Sequence, residues 1–184
     1  MAILIFPMIL MMRYFLIHSP EFLERRMRLG EKESAQKNII RYSFVFYLLA
    51  FILPGLDKRW GWSKVPFFVV TIADLLVVLS YAWIVRVFRE NKFASRTIEV
   101  VKEQKVISSG PYAVIRHPMY TGVAIMYSVS PLALGSWWAL IPGLMIIPTL
   151  IARILNEEEV LSRDLPGYSE YLPKVRYRLI PGIW

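Results

Sequence analysis

Long apolar runs alternate with short, charge-dense stretches along the whole chain. A helix crosses a bilayer with about 17–25 mostly apolar residues, and five runs approach or meet that length: residues 1–17, 39–56, 65–88, 118–134 and 137–152. Asp74 and, near the end, Arg86 interrupt the third run, and Arg41 lies close enough to one end of the second to reach the headgroups. The first run is apolar except for Arg13 and lacks the basic start and small-residue cleavage site of a signal peptide, so it reads as a retained anchor. Only Gly135 and Ser136 separate the last two runs, which predicts a tight helical hairpin over 118–152. Pro131, Pro142 and Pro148 fall inside that hairpin, where each removes a backbone donor and can bend its helix. The expected architecture is an all-α integral membrane protein of about five transmembrane helices.

Composition agrees with that pattern. The 184 residues are 56% apolar and 20% charged, against roughly 45–50% and about 25% in soluble domains. A soluble fold of this size has too little interior for the apolar excess, and a disordered chain needs low hydrophobicity. The net charge of +8 is divided among the loops, which argues against a nucleic-acid binder. Sixteen Lys and Arg lie in segments 18–38, 89–117 and the tail after Ala152, and only Lys58, Arg59 and Lys64 lie between the other runs. The positive-inside rule then puts the amino terminus outside and the carboxyl terminus in the cytoplasm. With no cysteine and only His18 and His117, a disulfide framework is excluded and no metal centre is expected.

Three segments carry candidate chemistry. In 89–117, Ile98-Glu99-Val100-Val101 and Lys105-Val106-Ile107 predict one or two brief extended stretches at the membrane surface, ended by Gly110-Pro111. Arg116 and His117 then stand directly before Pro118, a proline placed to open a helix. They form either a helix cap with an interfacial arginine or part of a site. After the last run, Arg153 and Glu157 share a helix face, and Glu157-Glu158-Glu159 are either exposed acids or the wall of a pocket for a cation. The tail, with Gly167-Tyr168-Ser169-Glu170-Tyr171 and Arg176 to Trp184, is either an interfacial anchor or a flap hinged at Gly167. Asp74 reads first as a helix-packing hydrogen bond or a partner of an arginine such as Arg13, and second as a functional intramembrane acid.

Gly110-x-Tyr112-x-x-x-Arg116-His117-Pro118-x-Tyr120, Arg153-x-x-x-Glu157-Glu158-x-x-Leu161 and Gly167-Tyr168-x-x-Tyr171 together resemble the isoprenylcysteine carboxyl methyltransferase family, over roughly residues 90–184. The resemblance implies a membrane methyltransferase using S-adenosylmethionine in a cytoplasm-facing pocket, with a lipophilic or lipidated acceptor arriving from the bilayer. It implies cofactor contacts at Gln104, Lys105, Val106, Ile107, Tyr112, His117, Pro118, Met119, Tyr120 and Glu157, with Glu158 beside them. The family often has histidine where Gln104 stands. Arg153 corresponds to an arginine assigned to the acceptor, and His117 is a candidate base for an amine or thiol acceptor. The organisation that follows is three N-terminal spans over 1–88, with a cytoplasmic loop 18–38, and a methyltransferase core over 89–184. Membrane sterol reductases carry a block like Arg116-His117-Pro118-x-Tyr120, so an NADPH-dependent enzyme is one competing expectation, and a non-catalytic membrane scaffold is another. An isoprenylcysteine-like carboxylate, a phospholipid amine, or a small lipophilic acid or thiol would each suit as acceptor. Membrane lipid is expected as a partner, nucleic acid and metal are not.

Overall fold

The computed structural model describes residues 2–27, 34–95, 97–101 and 103–184. Arg28, Lys32, Arg96 and Lys102, counted among the basic residues above, lie outside the described residues. Each apolar run carries a helix: α1 (Ala2–His18), α3 (Ser34–Trp60), α4 (Phe67–Glu90), α5 (Pro118–Ala133) and α6 (Leu140–Asp164). Two shorter helices, α2 (Pro20–Met27) and α7 (Tyr168–Tyr171), and a 3-10 turn over Gly110–Ala113 complete the helices among the described residues. Three helices, over Gln36–Trp60, Phe67–Glu90 and Leu140–Asp164, are long and apolar enough to cross a membrane. α1 and α5 are shorter, at 17 and 16 residues.

Local chemistry explains several ends. Pro66, at φ −58, precedes α4, and Asn91 leaves the helix in an extended conformation with its side-chain oxygen accepting from the Phe93 N–H at 2.9 Å. Two boundaries differ from the hydropathy reading. α3 begins at Ser34, inside the expected loop 18–38, and that loop also contains α2. α6 runs past Ala152 to Asp164, because Arg, Leu and Glu are good helix formers once the apolar stretch ends. The extended stretches expected within 89–117 are absent among the described residues. Those residues pair locally instead, Gln104 closing a turn on Val101 through both its N–H and its side chain. Among the described residues a single parallel bridge joins Ile115 and Tyr177.

α4 packs between α1 and α5, and α6 packs between α5 and α3. The α4–α5 contact is close because residue 122 is glycine: a Cβ there would lie 2.8 Å from Ile84 Cγ1 and 2.9 Å from Trp83 Cδ1. The Trp83 indole N–H donates to the Pro118 carbonyl across the same contact at 2.7 Å. Tyr120, Ile146, Leu150, Ile154 and Leu179 form a core joining α5, α6 and the tail, while Phe15, Phe22, Ile84 and Phe88 join α1, α2 and α4. Large apolar side chains such as Phe67, Phe68 and Leu75 remain exposed, as expected of faces turned to lipid.

At the hairpin end, Asp57 is 1% exposed and accepts from the Ser63 N–H at 2.7 Å and from the Ser63 and Ser136 hydroxyls. This clasp ties the Gly135-Ser136 turn to the end of α3. Asp74 behaves differently: its Oδ1 is buried and makes no hydrogen bond to any described residue, and Arg13 is exposed. The expected packing bond is therefore not made by that oxygen.

Candidate functional site

The other end of the bundle gathers the basic segments. Arg25 donates to the Lys92 carbonyl at 2.9 Å and Arg26 to that of Ser95 at 3.1 Å, so α2 holds the stretch after α4. Just before Pro118, the N–H groups of Arg116 and His117 donate to the carbonyls of Tyr177 and Arg178 at 2.9 and 3.0 Å. The Thr121 hydroxyl donates to Leu179 O at 2.9 Å. The tail is thereby strapped across the start of α5 and closed on itself by Arg178, Leu179 and Ile180 N–H groups donating to Trp184 O. Gly167 does bend the chain between α6 and α7, at φ +82, but the segment beyond it is fastened rather than flap-like.

Glu158 is the hub of that fastening. It is 8% exposed; its Oε1 accepts from Arg116 Nε at 2.6 Å and meets His117 Nε2 at 3.1 Å, and its Oε2 accepts from Arg178 Nε at 2.8 Å. Arg116 also donates to the Val175 and Arg176 carbonyls. One carboxylate thus joins α6, the start of α5 and the tail.

Glu157 has a different role. The Tyr120 hydroxyl donates to its Oε2 at 2.6 Å and accepts from Arg153 Nε at 2.9 Å. Arg153 also donates to Gln36 Oε1 at 2.9 Å, and the Gln36 amide donates to Asn156. Gln36 is fully buried and comes from α3, so the first turn of that helix, inside the loop expected over 18–38, contributes to this network.

Between these two clusters and the stretch 91–107 lies a cavity of about 840 Å³, its solvent-open mouth included. Gln104, Lys105, Val106 and Ile107 line one side, Tyr112, His117, Met119 and Tyr120 another, and Arg153 and Glu157 a third. Of the residues expected at a site, Pro118 and Glu158 are off the wall. Pro118 is fully buried in the first turn of α5, and Glu158 faces Arg116, His117 and Arg178 instead. The sequence reading passed over Asn91, Phe93, Thr97, Ile98 and Glu99, which also line the cavity, as do Leu161, Tyr168 and Tyr171. The spacing Gly167-Tyr168-x-x-Tyr171 was the available signal for the two tyrosines, while 91–99 carries none.

The walls keep several phenols neutral. Burial pushes the Tyr112 phenol well above its ordinary value although its oxygen accepts from Asn91 Nδ2 at 3.1 Å, and burial pushes that of Tyr171 up to about 12. The Tyr171 hydroxyl donates to the Tyr112 carbonyl at 2.6 Å. The cavity therefore offers an acid, aromatic faces and neutral hydroxyls together with two arginines, a set able to hold a ligand bearing both charges.

An all-helical chain with helices long and apolar enough to cross a bilayer, and a cavity of mixed polar and apolar lining at one end of the bundle, defines a membrane protein. Residues 68–166, from α4 to just past α6, match the profile of the phospholipid methyltransferase family. The chain belongs to that family, one of the membrane methyltransferases related to the isoprenylcysteine enzymes, and is thus a membrane methyltransferase. No curated protein matches the chain.

Proposed function

We propose that this protein transfers a methyl group from S-adenosylmethionine to a lipid acceptor, in the cavity between the α5–α6 hairpin and the 91–107 stretch. The observation that carries the proposal is the meeting of Tyr120, Arg153 and Glu157 on the wall of one membrane-end cavity, in a chain of a methyltransferase family. The donor set fits that cofactor. Glu157 Oε1 makes no hydrogen bond among the described residues, so an acid is available to a cationic group, and the Tyr112 and Tyr120 rings offer π faces beside it. When bound, S-adenosylmethionine supplies an electrophilic methyl group on a sulfonium.

The chain's own residues orient and shield. Glu157 holds positive charge on the cofactor, and Tyr120, fixed between Glu157 and Arg153, keeps the acid and the guanidinium apart at a set spacing. Arg153 presents a planar donor to an anionic group of the acceptor, a phosphate or a carboxylate. Val106, Ile107 and Met119 keep water from the reacting atoms, and alignment in such a setting supplies much of the acceleration of an in-line displacement.

Family membership supports a phospholipid amine as the first choice of acceptor. The His117–Glu158 pair favours the same choice, because an amine must lose a proton. With Nε2–H donating to Glu158, Nδ1 is left to accept that proton, a tautomer assigned from the hydrogen bond. A carboxylate acceptor needs no base and is the second reading, supported by the motif resemblance. The cavity end faces the cytoplasm in both, with 89–184 as the methyltransferase core.

Purified protein with methyl-labelled S-adenosylmethionine and either phosphatidylethanolamine vesicles or a prenylated cysteine analogue tests the proposal. Label in the lipid that survives base is N-methyl and supports the amine. Label released as methanol by base is an ester and supports the carboxylate. Binding of a nicotinamide cofactor without S-adenosylmethionine binding would overturn the methyl-transfer reading.

A further inference from the structure

Tyr168 opens α7 and is 4% exposed, packed with Leu165, Tyr171 and Val175. Its side chain lines the cavity. Its hydroxyl is nonetheless buried without a hydrogen-bond partner among the described residues. A buried hydroxyl in that condition is costly and uncommon, and at a cavity wall it is a group to which a ligand can supply the partner. Tyr171, three residues on, shows the ordinary arrangement, its hydroxyl donating to Tyr112 O at 2.6 Å. After burial, the carboxylates of Glu158 and Glu157 act to keep its phenol protonated, against the opposing pull of the Arg116 guanidinium. A neutral oxygen with unused lone pairs is suited to accept from a cationic donor.

We propose that the Tyr168 hydroxyl binds the amino-acid ammonium of S-adenosylmethionine, accepting a hydrogen bond from it on the same side of the cavity as Glu157. The assignment rests on the cofactor proposed above. It gives the tail a part in ligand selection, beyond its fastening to α5, and it lies outside the stretch that matches the family profile.

The test uses the full chain in lipid nanodiscs, titrated with S-adenosylhomocysteine and with its desamino analogue, which lacks only the ammonium. Tyr168→Phe is expected to weaken S-adenosylhomocysteine by about tenfold, the usual scale for losing one hydrogen bond to a charged group. It should leave the desamino analogue within about twofold and should not lower the melting temperature of the ligand-free protein, since the hydroxyl has no partner there to lose. Tyr171→Phe serves as the comparison: it should lower that melting temperature and keep the ratio of the two affinities at the wild-type value. Equal weakening of both ligands by Tyr168→Phe, no weakening of either, or a loss of ligand-free stability matching that of Tyr171→Phe would each overturn the assignment. A wild-type protein that binds neither ligand overturns the cofactor reading and the assignment with it. A wild-type protein that binds S-adenosylhomocysteine as tightly as Tyr168→Phe does overturns only the assignment.

Discussion

Glu157 and Glu158 are neighbours in sequence, yet one lines the cavity and the other binds Arg116, His117 and Arg178. Glu157→Gln keeps an acceptor for the Tyr120 hydroxyl while removing the charge. It should weaken S-adenosylhomocysteine binding about ten- to hundredfold with the helical signal unchanged, read by calorimetry and circular dichroism. Tyr171 gives a pH-dependent prediction. Its phenol, pushed up to about 12 by burial from an ordinary 10, keeps its proton in the folded protein where the unfolded chain has lost it. Between pH 10 and 12 the folded state binds more protons, so stability falls as pH rises through that window. Tyr171→Phe should be less stable than wild type at pH 8, and the gap in melting temperature should narrow as pH 12 is approached. The cavity residues within the motifs around Tyr112 to Tyr120 and Arg153 to Glu157 were legible, because short-range spacing fixes which of them share a helix face. Gln36 was not, since it reaches Arg153 from another helix 117 positions away.

At the scale of elements, hydropathy located every long helix but missed where two of them end. The helical extension of α6 beyond the apolar run is what brings Arg153, Glu157 and Glu158 to the site on one rigid support. The α4–α5 contact should be the most sensitive to added volume. Gly122→Ala, which puts a Cβ within 2.8 Å of Ile84, should cost about 1–3 kcal/mol by denaturant titration in detergent. Gly55→Ala in α3, where a Cβ would meet nothing within 4 Å, should be neutral or stabilising by up to about 1 kcal/mol. The strap of the tail depends on Glu158. Glu158→Ala leaves the buried Arg116 and His117 side chains without their carboxylate and should cost about 3 kcal/mol, with faster amide exchange over 175–184.

For the whole molecule, the ends of the bundle differ in kind: the Asp57 clasp closes one, and the cavity and strapped tail occupy the other. The chain has no cysteine, so its topology can be read by single-cysteine labelling. In sealed vesicles of known orientation, Lys64→Cys should react with an impermeant maleimide from outside and Ser108→Cys only after permeabilisation. Both positions are exposed and off the cavity wall. Labelling in the opposite sense would reverse the proposed orientation. The sequence by itself determined the apolar runs, the one-sided charge and the motifs that mark a methyltransferase, because hydropathy and short spacings are local properties of the chain. Tertiary structure decided that Glu157 lines the cavity and that Glu158 holds the fold together. Adjacent residues on a helix point about 100° apart, and only the packing of α5, the tail and α3 around α6 sets what each direction meets.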